Sequence, residues 1–160
     1  PPAALVQRLA DTFQRTGGDL PSLYRELILS PLAWAPEAVK FKSPWDWTVS
    51  GLRAIGRREV PAAQAANLMN QLGQPVWRPG SPAGYDDLTA TWAAPDALLR
   101  RVEVAQRLAA LAGSGTDARA LAPRVLPGAL TEATASALAR AESGPTALAL
   151  LLVSPEFLRR

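Results

Sequence analysis

Neither histidine nor cysteine occurs in the 160 residues. The first absence removes nucleophile–imidazole pairs and imidazole ligation of metal or haem. The second removes thiolate nucleophiles, redox pairs, thiolate zinc sites and disulfides. Long apolar runs are missing as well. The longest, residues 147–153, falls far short of the roughly 20 residues a spanning helix needs. β-Branched aliphatics are scarce: Ile and Val supply 11 residues, against 55 from Ala and Leu. Strands favour the scarce class and helices the abundant one, so the chain reads as all-α. No glycine-rich phosphate loop is present, and no secretory leader is expected within this stretch. The chain opens Pro1-Pro2-Ala3 without an initiator Met and is expected to be the C-terminal piece of a longer protein.

Charge is modest and scattered. The formal net charge is +3, and Arg outnumbers Lys 15 to 2. The longest basic runs are the pairs Arg57-Arg58, Arg100-Arg101 and Arg159-Arg160. Nucleic-acid binding calls for a clustered stripe, so a nucleic-acid partner is not expected. A chain of this length suits a single domain spanning residues 1–160.

The apolar spacing predicts about seven to nine helices in an irregular bundle. The first, over 3–16, would turn Leu5, Val6, Leu9, Ala10 and Phe13 inward and end at Gly17-Gly18. The second opens at Asp19 or Leu20, carries Leu23, Tyr24, Leu27 and Ile28 inward, and stops near Ser30, ahead of Pro31. Ser43-Pro44 reads as an N-cap followed by proline in the first turn. That helix carries Trp47, Val49, Leu52 and Ile55. Helices are further expected over 62–72, 95–112, 116–125, 130–141 and 145–153, with a break at 113–115. The helix over 95–112 would face Leu98, Leu99, Val102, Ala105, Leu108 and Leu111 inward. Residues 21–31 echo 145–155, each following an amphipathic helix and ending Ser-Pro. The echo fits two similar helical hairpins at the chain ends, or convergence on the same capping rules.

Between these helices lies a long Pro/Gly-rich loop, 74–94, expected to be ordered with at most one helical turn near 86–92. Structureless loops of that length are uncommon in compact domains and are often functional. It gathers Gln74, Trp77, Arg78, Tyr85, Asp86, Asp87 and Trp92. Aromatic faces beside an Arg and carboxylates can bind a sugar ring or another polar organic ligand. The same residues can equally form a tryptophan-anchored clamp with Arg78 stacked on a ring. Asp86-Asp87 lacks calcium-loop spacing and can serve as an N-cap for the turn that carries Trp92. No metal site and no cofactor is expected. All five Trp residues fall between 34 and 92, which marks that stretch as the aromatic part of the core. Arg53 and Arg101 join the loop residues as binding or anchoring candidates, and Lys42, Asp46, Arg53 and Arg101 as buried polar anchors.

Several segments together resemble one family. They are Gly18-Asp19-Leu20, Leu27-Ile28-Leu29-Ser30-Pro31 with Trp34, Lys42-Ser43-Pro44 with Asp46, and Arg53-Ala54. Leu72-Gly73-Gln74-Pro75, Pro79, the run Ser81-Pro82-Ala83-Gly84-Tyr85, Trp92, Leu98-Leu99, Arg101 and Leu151-Leu152-Val153-Ser154-Pro155-Glu156-Phe157 complete the set. The chain is similar to the C-terminal part of the bacterial family of domain of unknown function 1800 (DUF1800). Tyr85 stands where the related pattern often has Trp. The resemblance implies longer, often exported proteins, hence a periplasmic or secreted location. It also implies His-containing motifs upstream of this stretch, and possible pairing with a sulfatase-like protein encoded nearby. It supplies no catalytic residue. The expected role is a structural or interaction module that presents the 74–94 loop to the upstream part of the same protein or to a partner. The rival is an enzyme for which this chain forms one wall of a substrate pocket, with Arg53, Arg78, Asp86 and Arg101 binding substrate.

Overall fold

The computed structural model describes residues 1–34, 38–113 and 115–160. Ser114, in the expected break at 113–115, lies outside the described residues. Nine α-helices and one 3-10 turn, and no strand, occur among the described residues, which bears out the all-α reading. The chain gathers into two compact units, Pro1–Ala38 and Val39–Arg160.

The first unit is a helical hairpin. Helix α1 (Ala3–Thr16) ends at Gly17 and Gly18, with φ of 64° and 88°. These left-handed values suit glycine, which has no Cβ to clash. The Gly18 amide donates to the carbonyl of Phe13 at 2.9 Å, closing the helix end. Helix α2 (Leu20–Leu29) is capped by Asp19, whose carboxylate accepts the Ser22 amide at 2.9 Å. That resolves the choice between Asp19 and Leu20. Arg8 pairs with Glu26 across the hairpin. A 3-10 turn (Pro31–Ala33) follows, and the indole of Trp34 donates back to the carbonyl of Ile28 at 2.9 Å.

The expected inward faces of this hairpin need correcting. Leu5 is buried, but Val6, Phe13, Tyr24, Leu27 and Ile28 are exposed. Apolar residues cover more of the circumference of α2 than one neighbouring helix can shield. Leu20, Tyr24 and Ile28, four residues apart, form an exposed stripe.

The second unit holds α3 (Pro44–Ala54), α4 (Ala62–Gln71), the short α5 (Thr89–Trp92), α6 (Pro95–Ala112), α7 (Ala118–Val125), α8 (Glu132–Ala139) and α9 (Gly144–Leu152). Its centre is α9, packed on α6, α7 and α8. Ser143 caps α9 by accepting the Thr146 amide. Ala147, Leu148, Leu151 and Leu152 then fall on one face and are all buried. Full burial stabilises by about 1.5–3 kcal/mol for each such leucine. The Trp47 indole of α3 donates to the carbonyl of Leu152 at 2.8 Å, satisfying one of the carbonyls that the end of α9 leaves free. Ser43 and Asp46 form a reciprocal capping box at the start of α3.

The chain's end is tied back to residues 40–42. Phe41 and Arg159 form an isolated antiparallel bridge. The Lys42 amide donates to Leu158 at 2.8 Å, and the Arg160 amide to Lys40 at 2.8 Å.

Two core expectations are corrected here. Only Trp47 and Trp92 belong to the core; Trp34, Trp45 and Trp77 are exposed. Trp45 sits two residues from Trp47 on the same helix, about 200° around it, so both cannot face inward. On α6 the buried face is Arg101, Val104, Ala105, Leu108 and Ala109, whereas Leu99, Val102 and Leu111 are exposed. The stripe is rotated because Arg101 occupies a core position that an apolar-only reading leaves empty.

Candidate functional site

The 74–94 segment is clamped at several points. Gly73, with φ of 85°, turns the chain out of α4. Gln74 is half-buried and its side-chain oxygen accepts the Trp45 amide at 2.8 Å. That amide is one of the unpaired donors of the first turn of α3, so the loop starts by capping a helix. The Tyr85 hydroxyl donates to the carbonyl of Pro75, ten residues back. The Trp92 indole donates to the carbonyl of Asp86 at 2.8 Å. The Tyr85 and Trp92 rings lie 6.2 Å apart at 55°, the tilted geometry that aromatic pairs favour.

Loop and helix enclose a cleft of about 420 Å³. The first turns of α6 supply Asp96, Ala97 and Arg100, the turn out of α4 supplies Leu72 and Gly73, and the loop supplies Gly80, Ser81, Gly84, Tyr85 and Asp86. Thr91 and Trp92 of α5 complete the lining. Arg100 donates to Asp96 at 2.9 Å, a pairing four residues apart on one helix. Asp86 accepts from the Thr91 hydroxyl at 3.3 Å. The cleft thus holds two carboxylates against one guanidinium.

The candidate residues separate. Tyr85, Asp86 and Trp92 meet at the cleft, and Gln74 holds the base of the loop. Trp77 is 94% exposed with φ of 58°. Arg78 donates to Asn70 at 3.3 Å rather than stacking on a ring. Asp87 pairs with Lys40, and Leu88, not either aspartate, takes the N-cap position of α5. Arg53 is exposed on α3, so it is no buried anchor. The rival substrate set of Arg53, Arg78, Asp86 and Arg101 therefore does not converge: only Asp86 lines the cleft.

Arg101 is buried elsewhere. Its guanidinium lies 4.7 Å from the centre of the Phe41 ring and 5.8 Å from that of Trp47. It donates to the carbonyl of Lys42 at 2.7 Å, and Nη1 has no partner among the described residues. Burial pulls its pKa down to about 10, which leaves it charged at neutral pH. Lys42 lies over the Phe157 ring at 4.3 Å. Burial lowers its pKa too; Asp46 opposes that shift, while Arg101 and Arg160 add to it.

Reasoning from sequence missed Ser81, Thr91, Asp96 and Arg100. The spacing of Asp96 and Arg100 was the available signal. No group of three His, Cys, Asp or Glu able to hold a metal ion occurs among the described residues, and no helix there is long and apolar enough to cross a membrane.

A family model described as protein of unknown function (DUF1800) matches residues 1–159. The chain belongs to the DUF1800 family. No curated protein and no solved structure matches it. For this DUF1800 chain the match takes in both compact units and the whole 74–94 segment. It assigns no role to any residue. What the cleft does must come from its own groups: acceptors at Asp86 and Asp96, donors at Arg100, hydroxyls at Ser81 and Thr91, and an aromatic wall.

Proposed function

We propose that this DUF1800 chain is a helical interaction module that displays the 74–94 segment to another part of a longer protein or to a separate chain. The observation that carries this reading is Trp77. A left-handed conformation is uncommon for a residue other than glycine, and such backbone outliers cost of the order of 1–3 kcal/mol. Here it is spent on an indole that touches almost nothing, since Trp77 is 94% exposed. Tryptophan is among the residues most enriched at the energetic centres of protein interfaces. The exposed stripe of Leu20, Tyr24 and Ile28 supports the same reading from the other unit, because exposed apolar patches mark contact sites. The family resemblance puts an upstream region first as the partner, a sulfatase-like protein second, and an exported setting for both.

The test is Trp77→Gly in the full gene product. Stability within about 1 kcal/mol of the parent, with weakened association between this region and its partner, is the expected result. A large loss of stability would mean that Trp77 serves the fold.

The second reading is a wall of an enzyme's substrate pocket. It rests on the cleft, where Asp86, Asp96 and Arg100 face one opening. No reaction follows from these groups alone.

A further inference from the structure

We infer that the cleft between the 80–86 stretch and α6 is a binding site for a neutral, polyhydroxylated ring, that is, a saccharide. This goes beyond the interaction reading and does not depend on it, since Trp77 does not line the cleft.

The chemistry of the walls narrows the ligand. An anion such as phosphate meets two carboxylates, Asp86 and Asp96, and one guanidinium already paired with Asp96. The excess negative charge repels it. A compact organic cation suits that excess charge but offers no acceptor to Arg100, which is a donor only. A purely apolar ligand would strip water from Asp86, Asp96 and Arg100 without replacing their hydrogen bonds, which is costly. A sugar satisfies all of them. Its hydroxyls both donate and accept, so they can give to the aspartates and take from a guanidinium, which carries five N–H donors. Its C–H face can lie on the half-buried Tyr85 ring, which the buried Trp92 ring backs. The phenol hydroxyl is occupied by the carbonyl of Pro75, so the Tyr85 ring presents apolar surface rather than competing for hydroxyls.

The shape agrees. The cleft, about 420 Å³, lies in the roughly 300–1,000 Å³ range of small-molecule sites. Gly80 and Gly84 line it, and a Cβ at either would meet no atom within 4 Å. Open space is therefore present at both positions, and a larger side chain could occupy it. Gly84 also needs its left-handed φ of 92°, whereas Gly80 has no such requirement. The clamps from Tyr85 to Pro75 and from Trp92 to Asp86 hold this wall in place before any ligand arrives.

The probes are a panel of neutral sugars: glucose, galactose, mannose, N-acetylglucosamine, maltose, cellobiose and chitobiose. The readout is the NMR resonance of the Trp92 indole N–H during titration. Inorganic phosphate and methylguanidinium serve as charged competitors for the same reading. At least one sugar is expected to move the Trp92 signal saturably, and neither charged probe should. Gly80→Leu narrows the cleft without backbone strain and should abolish the response. Asp86→Asn keeps the carbonyl that holds Trp92 and removes one charged acceptor. It should weaken binding about tenfold, the scale of one hydrogen bond to a charged group. Circular dichroism confirms that each variant is folded, and the aspartate variant decides if the leucine variant is not. No response to any sugar would overturn the proposal. So would a response unchanged in the folded variants, or a stronger response to phosphate or methylguanidinium.

Discussion

Arg101 and Phe41 are stacked in the core, guanidinium carbon 4.7 Å from the ring centre, with no carboxylate among the described residues pairing the charge. The ring faces of Phe41 and Trp47 and the carbonyl of Lys42 stand in for a counter-ion. Cation–π contacts of this kind reach about 2 kcal/mol when desolvated. This arrangement joins α6 to the segment that the chain's end binds through its bridge to Phe41.

A truncation and an apolar substitute at 101 should therefore differ. Arg101→Ala leaves a cavity and is expected to cost about 3 kcal/mol. Arg101→Met fills most of the space without a buried charge and should cost less, because apolar replacements for buried charges are often neutral or better. Urea unfolding of the two variants checks the order. A methionine variant no more stable than the alanine variant would mean that filling the space does not help and that the guanidinium with its contacts holds the core.

Glu156 links the end of the chain to the start of α8. Its carboxylate accepts from the hydroxyls of Thr131 and Thr134 and from the Thr131 amide. Burial pushes its pKa up, but these hydrogen bonds together outweigh burial and leave it below the ordinary glutamate value. A carboxyl group with a lowered folded pKa stabilises above its unfolded pKa and loses that contribution as pH falls through the folded one. The parent should thus exceed Glu156→Gln by about 1 kcal/mol at neutral pH. The gap should close as pH falls through the ordinary glutamate range and on through the lowered folded pKa. Urea midpoints across that range test it, and a gap independent of pH would contradict the assignment.

The two glycines ending α1 should not be equivalent. A Cβ on Gly17 meets nothing within 4 Å, whereas one on Gly18 would lie 3.2 Å from the Phe13 ring. Both positions are left-handed, so each alanine variant carries a cost of about 1 kcal/mol. Gly18→Ala should lose more, because Phe13 must also move. Hydrogen exchange of the last turn of α1 reads this locally, with faster exchange in Gly18→Ala than in Gly17→Ala.

Local capping chemistry was the most legible part of the chain. Gly17-Gly18, Asp19, Ser43-Pro44 and Gly73 act where the sequence placed them, because caps depend on a few adjacent residues. Expected helices over 116–125 and 130–141 came out shorter, and the one over 145–153 is shifted back by one residue, with Asp117, Thr131 and Ser143 as the true caps. What could not be read was which apolar face each helix buries. Arg101 shows why: an arginine enters the core only when distant Phe41 and Trp47 are there to receive it. The cleft was half legible. Tyr85, Asp86 and Trp92 drew attention as a cluster in one loop, while Asp96 and Arg100 belong to a helix that reads as ordinary surface.

Trp77 is exposed in this chain, and an interaction module needs something else to cover it. The absence of cysteine allows a direct measurement. A single cysteine introduced as Trp77→Cys reports its own accessibility through the rate of maleimide labelling. The comparison is between the 160-residue chain alone and the same chain with the proposed upstream region or partner present. Rapid labelling in the chain alone and strong protection in the complete assembly is the expected result. Because tryptophan itself makes part of the contact, Tyr24→Cys on the exposed stripe provides a second position to read the same way. Equal, rapid labelling at both positions in both preparations would contradict the interaction account.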